Sequence, residues 1–267
     1  MSFAGLSQAD IRQKMDEYYR AAQGALLPRD REMGRALREA ALELIETPKI
    51  GHMRWEPGRT LDVGSGPGGV AAYWPGRWGL HNIVGLELSQ NAVRIARETY
   101  PTVEYIVGAI ETFKDARRFD TIVAVESIEH WVDPRAGLVA IRSHLTADGY
   151  FILTTPNRDS LHCRIGRKLG VSVPFCCAHH VREWGYEELR ALLADCGFEV
   201  TRSIGVGLAP YWALEAKFGT QIRELTDRDD ELAVLFADAG RHTPEIAFCQ
   251  AHACRQAFSC EPAGIQE

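Results

Sequence analysis

Nowhere does this sequence stay apolar for the ~18 residues that a membrane-crossing helix needs. Its first residues, MSFAGLSQADIRQKMDEYY, lack the apolar core of a secretory leader, and charge begins at Asp10. Positive charge is not in excess either. Thirty Lys and Arg against 36 Asp and Glu give a formal net charge of −6, which argues against a long polyanionic partner and leaves room only for a local basic patch. Paired cysteines at framework spacing are missing too. The seven cysteines, Cys163, Cys176, Cys177, Cys196, Cys249, Cys254 and Cys260, are odd in number and scattered. In a chain of this size they read as reduced thiols, and the protein is expected to be cytoplasmic, with no membrane partner. Repeats and low-complexity tracts are absent, apart from a short polar tail after Cys260. What remains is a chain of 267 residues, 46% hydrophobic and 25% charged. That is long enough to bury most of its apolar surface without disulfides or a structural metal.

Alternation is what the sequence has in its place. Residues 7–46 read as helix: Ser7 caps a first segment running to about Tyr19, and Pro28 opens a second, RDREMGRALREAALELIE, whose Leu37, Ala41 and Leu44 recur at helical spacing. The Pro- and Gly-containing stretch TPKIGHMRWEPG breaks the pattern. We therefore expect an N-terminal helical cap over 1–56 and a main domain over 57–267. Beyond the break, short apolar runs (RTLDVGSG, NIVGLEL, VEYIVG, FDTIVAVE, GYFILTTPN, FEVTRSIG, EIAFCQAHACRQA) alternate with amphipathic ones such as SQNAVRIARETY, PRAGLVAIRSHL and EELRALLADCG. Such alternation predicts an α/β fold, a Rossmann-like seven-stranded and mostly parallel sheet with helices on both faces. A helical insertion over about 210–243 should precede the last strand.

LDVGSGPGG, residues 61–69, falls where the first strand turns into a helix, and glycines there allow a sharp turn and close approach of a ligand. Gly64, Gly66 and Gly69 also fit a dinucleotide fingerprint, with Glu87 near the position of a ribose-binding acid. Against that reading stands Asp62, inside the strand two residues before the glycines. Its charge opposes a pyrophosphate and suits a cationic amino-acid moiety.

Four segments in order, LDVGSGPGG, GLELS (85–89), FDTIVAVESIEHWVDP (119–134) and LTADGYFILTTPN, resemble the class I S-adenosylmethionine (SAM)-dependent methyltransferases over roughly residues 58–205. The resemblance implies S-adenosyl-L-methionine as cofactor and a transferase activity. It also implies a site. Asp62 and the loop residues Gly64, Ser65, Gly66 and Gly68 would hold the methionine part. Glu87, with Leu88, would take the ribose hydroxyls on its two carboxylate oxygens. Ala109 and Ile110 would flank the adenine, and Glu126 would lie on the cofactor side or order its loop. Here the chain departs from the family, because Ala109 stands where an acid often binds the adenine amino group. Glu111 is a poor substitute for it. Tyr18 or Tyr19 is expected to contact the cofactor from the N-terminal helix.

The methyl acceptor is less legible. No Asn/Asp-Pro-Pro-aromatic signature follows the fourth strand, where the text is AVESIEHW, and no Pro-Cys pair stands there. A small molecule methylated at O, N or C is expected, with no nucleic-acid partner. The alternatives are a tRNA or protein acceptor, served by a basic groove of Arg158, Arg164, Arg167 and Lys168, and a SAM-binding protein without turnover. His130, His179 and His180 are the base or acceptor-contact candidates. PFCCAHHVREW, residues 174–184, contains two of them, in a His-Val-Arg-Glu-aromatic run like that of related small-molecule methyltransferases, with Glu183 placed to orient one ring. Adjacent cysteines and adjacent histidines seldom converge on one ion, so no metal is expected in that stretch, even with His162 and Cys163 upstream.

Overall fold

The computed structural model describes residues 5–21, 35–41, 43–44, 58–68, 82–170, 173, 175, 177, 179–207, 241–247 and 249–257. The expected insertion over 210–243 lies almost wholly outside them, as do Gly69, Cys176, Cys260 and the helix expected from GVAAYW. Strand β1 (Thr60–Val63) is flanked by β2 (Ile83–Glu87) and β4 (Phe119–Val125), with β3 (Glu104–Val107) outside β2. β5 (Leu145–Pro156) continues the parallel run from β4. β7 (Cys249–Gln256) then inserts antiparallel between β5 and β6 (Phe198–Val206), for a seven-stranded order of β3-β2-β1-β4-β5-β7-β6. The expected mostly parallel Rossmann-like sheet is the fold.

Alternation along the central strands divides the core into two layers, because successive side chains of a strand point to opposite faces. Val123 and Ile152 pack on one face with Val93 and Ala96 of helix α2 (Gln90–Thr99) and with Ala36, Leu37, Ala40, Ala41 and Leu44 of the helical stretch 35–44. Ile122, Ala124, Phe151 and Leu153 pack on the other face. Their partners there are Leu138 and Ile141 of α3 (Pro134–His144) and Leu189 and Leu193 of α5 (Tyr186–Asp195). The central strands, buried on both faces, therefore read as continuous apolar runs.

The remaining described helices are α1 (Gln8–Ala21) and α4 (Leu161–Lys168). Ser7 starts α1 as expected: its hydroxyl accepts from Asp10 N at 3.2 Å, while Asp10 accepts from Ser7 N at 3.1 Å. α1 lies over the carboxyl edge of the sheet. Its Asp16 carboxylate accepts from the Ser89 hydroxyl and, at 3.1 Å, from Asn91 N, which ties α1 to the start of α2. Among the described residues no helix is long and apolar enough to cross a membrane.

Candidate functional site

A cleft of about 660 Å³, its open mouth included, lies at the carboxyl ends of β1, β2 and β4, where open α/β sheets bind their ligands. One wall is the turn after β1. Gly64 (φ +75°), Gly66 (+55°) and Gly68 (+90°) all occupy the left-handed region, where an L side chain is strained. A Cβ on Gly64 would also lie 2.3 Å from Ser127 Oγ, and one on Gly68 2.5 Å from Tyr105 Oη. Gly64 and Gly68 are thus required twice, by conformation and by space, and Gly66 by conformation.

This turn is latched to β2. Gly66 N donates to Glu87 Oε2 at 2.9 Å and Ser89 N to Glu87 Oε1 at 2.8 Å, so the buried carboxyl is fixed at the strand end and lines the cleft. Burial raises the Glu87 pKa, and backbone N–H bonds from Ser89, Gly66 and Leu88 oppose that rise. A carboxylate offers about four lone-pair sites, so room remains on Glu87 for a ligand hydroxyl. Asp62 is buried in β1, below the loop.

Of the residues expected on the cofactor, Gly64, Glu87, Leu88, Ala109, Ile110 and Glu126 line the cleft. Asp62, Ser65, Gly66 and Gly68 stand behind its surface as the frame of the turn. Glu111 also lines it, but its Oε1 accepts from Val132 N at 3.0 Å, bracing the wall by Trp131. The sequence reading did not name Gln8, Ile11 and Met15, which line the cleft with Tyr19 along one side of α1. Their spacing of 3, 4 and 4 residues marks one helical face, so the signal was present. Tyr19 is the cleft residue of the tyrosine pair, whereas Tyr18 is exposed and its ring meets His179 edge-on at 5.0 Å.

The opposite wall is built from side chains. Glu126 directly follows β4 with φ +49°, the only such non-glycine among the described residues. Its backbone is held by the Glu126 N bond to Thr154 O (3.0 Å), and its carboxylate accepts from Thr154 Oγ1 at 2.9 Å. A strained residue so over-determined by its neighbours is typical of functional sites. Burial pushes its pKa up to about 7. Glu129 is completely buried; its Oε2 accepts from Thr155 Oγ1 at 2.9 Å, and its backbone oxygen accepts from Val181 N at 2.8 Å. Burial and the nearby Glu126 charge hold the Glu129 pKa well above the usual carboxylate range.

His130 lines the cleft and donates from Nδ1 to His179 O at 3.1 Å. Burial lowers its pKa to about 4, so the imidazole is neutral at pH 7. The His180 ring meets that of His130 edge-on at 4.9 Å, donates from Nδ1 to Glu183 Oε1 at 2.6 Å, and faces Glu129 Oε1 with Nε2 at 4.0 Å. Glu183 therefore orients His180. His179 lies outward, next to Cys177 Sγ at 3.3 Å and Tyr18.

His162 and Cys163 are on α4 and contact Ser160 and one another. Among the described residues of the cysteine–histidine stretch, His180 turns inward and His179 lies against Cys177. Glu129, His130 and His180 are instead brought together, their ligand-capable atoms within 4.8 Å of one another. Glu129 was not singled out as a site residue, because a fully buried acid after a strand has no local mark distinguishing it from a solvated one.

The arginines expected to form a basic groove are engaged by their own chain. Arg158 donates to Val173 O and lies 3.6 Å from Glu183, Arg164 donates to Asp159 O, and Arg167 pairs with Asp159 at 2.9 Å.

A family model described as a methyltransferase domain matches residues 28–203. Among curated proteins, the chain is 30% identical over 108 residues to a ubiquinone biosynthesis O-methyltransferase of Pectobacterium atrosepticum, covering 38% of this chain and 44% of that one. It is 32% identical over 129 residues to the protein of the same name from Xanthomonas euvesicatoria, covering 46% and 52%. The chain spans about half the length of the curated relatives it matches. Among solved structures, magnesium protoporphyrin IX methyltransferase from Synechocystis, with bound SAH, superposes with a TM-score of 0.59 at 13% identity over 94% of this chain and 100% of that one, a likeness of fold.

Proposed function

The chain belongs to the methyltransferase-domain family, and from that premise we propose that it transfers the methyl group of S-adenosylmethionine to an O, N or C atom of a small-molecule acceptor. The observation that carries the proposal is the single cleft with two unlike walls: the glycine turn latched to Glu87 on one side, and Glu126 and His130 on the other. Bound SAM supplies a methyl carbon already made electrophilic by its sulfonium.

The chain's residues then have three tasks. Glu87, fixed by Gly66 N and Ser89 N, orients a ribose diol through its remaining lone pairs. The Gly64 backbone and Asp62 frame the methionine part, and Ala109 and Ile110 flank the adenine with backbone groups in place of an acid. α1, through Ile11, Met15 and Tyr19, excludes water above the cleft. At the far wall neutral His130 faces the acceptor end of the cleft. Alignment of the reactants accounts for ~7–11 kcal/mol of the barrier, more than the ~10²–10⁴-fold of a base. Precise walls therefore matter more than any one proton acceptor.

The division into a cap over 1–56 and a domain over 57–267 belongs to this reading as well. α1 over the cleft supports it, whereas Ala36, Leu37, Ala40, Ala41 and Leu44 pack into the sheet's own core. Cytoplasmic residence is likewise part of the proposal, as is the small-molecule acceptor; the self-engaged Arg158, Arg164 and Arg167 favour the latter over a nucleic acid.

Calorimetry with SAM, its demethylated product SAH and NAD tests the donor. SAM and SAH binding is expected, with none by NAD; NAD binding without SAM would end the proposal. Incubation with methyl-labelled SAM and a panel of small hydroxylated and amino acceptors should transfer label. Tight SAH binding without transfer to any acceptor would favour a non-catalytic SAM-binding protein.

A further inference from the structure

We propose that Glu129, His130 and His180 bind one divalent first-row transition cation at the acceptor end of the cleft. These three residues come from two segments about fifty positions apart, and the sheet brings their ligand-capable atoms within 4.8 Å of one another. Two ligands each about 2.1 Å from one ion stand roughly 3–4 Å apart, so small side-chain rotations close the set.

Three independent features aim these groups at an ion. First, both rings have Nδ1 committed outward, His130 to the His179 carbonyl and His180 to the Glu183 carboxylate. An outer acceptor of this kind fixes the tautomer and presents Nε2 to a metal. His180 Nε2 indeed points at Glu129, 4.0 Å from Oε1.

Second, Glu129 is 0% exposed, and its Oε1, on the side of His180, has no hydrogen-bond partner. An acceptor so buried costs free energy unless something satisfies it. Third, Glu126 and Glu183 add carboxylates around the same spot. Among the described residues the nearby arginine, Arg158, engages Glu183 and the Val173 carbonyl. Buried carboxylates gathered in this way are stabilised by a cation among them.

Two imidazoles and one carboxylate suit a transition ion over Mg²⁺ or Ca²⁺, which take oxygen ligands. Three protein ligands leave a coordination position open, and His130 faces that position onto the cleft. Resting on the methyl-transfer reading, this assigns the acceptor as a hydroxyl compound whose oxygen takes the open position. The ion lowers the hydroxyl pKa, and its proton passes to solvent. An oxygen lone pair then forms the O–CH₃ bond as the S–CH₃ bond breaks, its electron pair remaining on sulfur.

The test is a Co²⁺ titration of the full chain after chelator treatment, read by visible d–d absorption, with Zn²⁺ and Mn²⁺ followed by calorimetry and SAH binding measured in parallel as a check of fold. One ion per chain is expected. Glu129→Gln and His180→Gln should weaken it at least ~100-fold while SAH affinity stays within about twofold, and His179→Gln and Cys177→Ser should leave it unchanged. No stoichiometric ion, binding retained in both Glu129→Gln and His180→Gln, binding lost in the His179 or Cys177 variant, or binding of Mg²⁺ alone would overturn the assignment. SAH binding without any ion removes this inference and leaves the proposed function standing; loss of SAH binding by the unmodified chain removes the proposed function itself.

Discussion

At the glycine-turn end of the cleft the protein presents mostly backbone: three left-handed glycines, the N–H groups of Gly66 and Ser89, and one carboxyl that they hold. At the other end it presents the side chains of Glu126 and His130, with Glu129 and His180 buried behind them, delivered by the segment after β4 and by the loop before α5. The first end is assembled within about 25 residues and tolerates almost no added atom. The second joins segments far apart in sequence and tolerates conservative replacement sterically, but not a change of charge or ligand type. Donor affinity should therefore live at one end and turnover at the other.

The most disruptive way to probe this contrast is Gly64→Ala. It places a side chain at φ +75° and 2.3 Å from Ser127 Oγ, and left-handed strain alone costs roughly 1–3 kcal/mol. SAH affinity measured by calorimetry should fall at least about 100-fold; an unchanged value would mean that the turn does not touch the donor. Glu87→Gln comes next. Charge-assisted hydrogen bonds contribute about 1.5–3 kcal/mol, so a roughly 10–100-fold loss of SAH affinity is expected.

His180→Gln should do the reverse, cutting turnover by at least ~10-fold with SAH affinity held. Equal losses in both would erase the distinction between the ends.

A smaller effect separates histidines of the cleft from one sealed in the sheet. His252 is fully buried in β7, bonded to Ser203 Oγ at 2.8 Å and Gln250 Oε1 at 3.0 Å. Burial lowers its pKa to about 3, below the ordinary ~6.5. As pH falls below about 6.5 the unfolded chain takes up this proton first. Stability is thus complete above that pH and is lost progressively toward pH 3, by at most ~1.4 kcal/mol per unit. Urea midpoints at pH 7 and pH 5 should differ less in His252→Gln than in the unmodified protein, and a parallel shift would refute the assignment. The mildest change is Ser7→Ala. Loss of the α1 cap costs about 1 kcal/mol, seen as a lowered thermal midpoint and a few-fold weaker SAH binding through α1.

How much of this was readable in advance differs between the two ends for the same reason. Gly64, Gly66, Gly68 and Glu87 were legible because a turn and the next strand end are local, and their residue types are dictated by backbone conformation. The face of α1 bearing Ile11, Met15 and Tyr19 is half legible: the family resemblance puts Tyr18 or Tyr19 on the cofactor, but nothing local marks Ile11 and Met15 as lining the cleft. Glu129, and the choice between His179 and His180, are not legible, because sequence adjacency does not say which side chain turns inward. Sequence likewise does not show that Arg158, Arg164 and Arg167 are engaged by Asp159, Glu183 and nearby carbonyls.

By itself the sequence determined the alternating α/β architecture, the glycine turn and the acid at the end of β2, since period-2 and period-3.6 patterns and left-handed turns are properties of neighbouring residues. Tertiary structure alone decided that β7 runs antiparallel between β5 and β6, that Glu129 meets His180, and that His179 lies against Tyr18. Those outcomes depend on which strands lie side by side, and strand order is set by packing the whole sheet between its two helical layers.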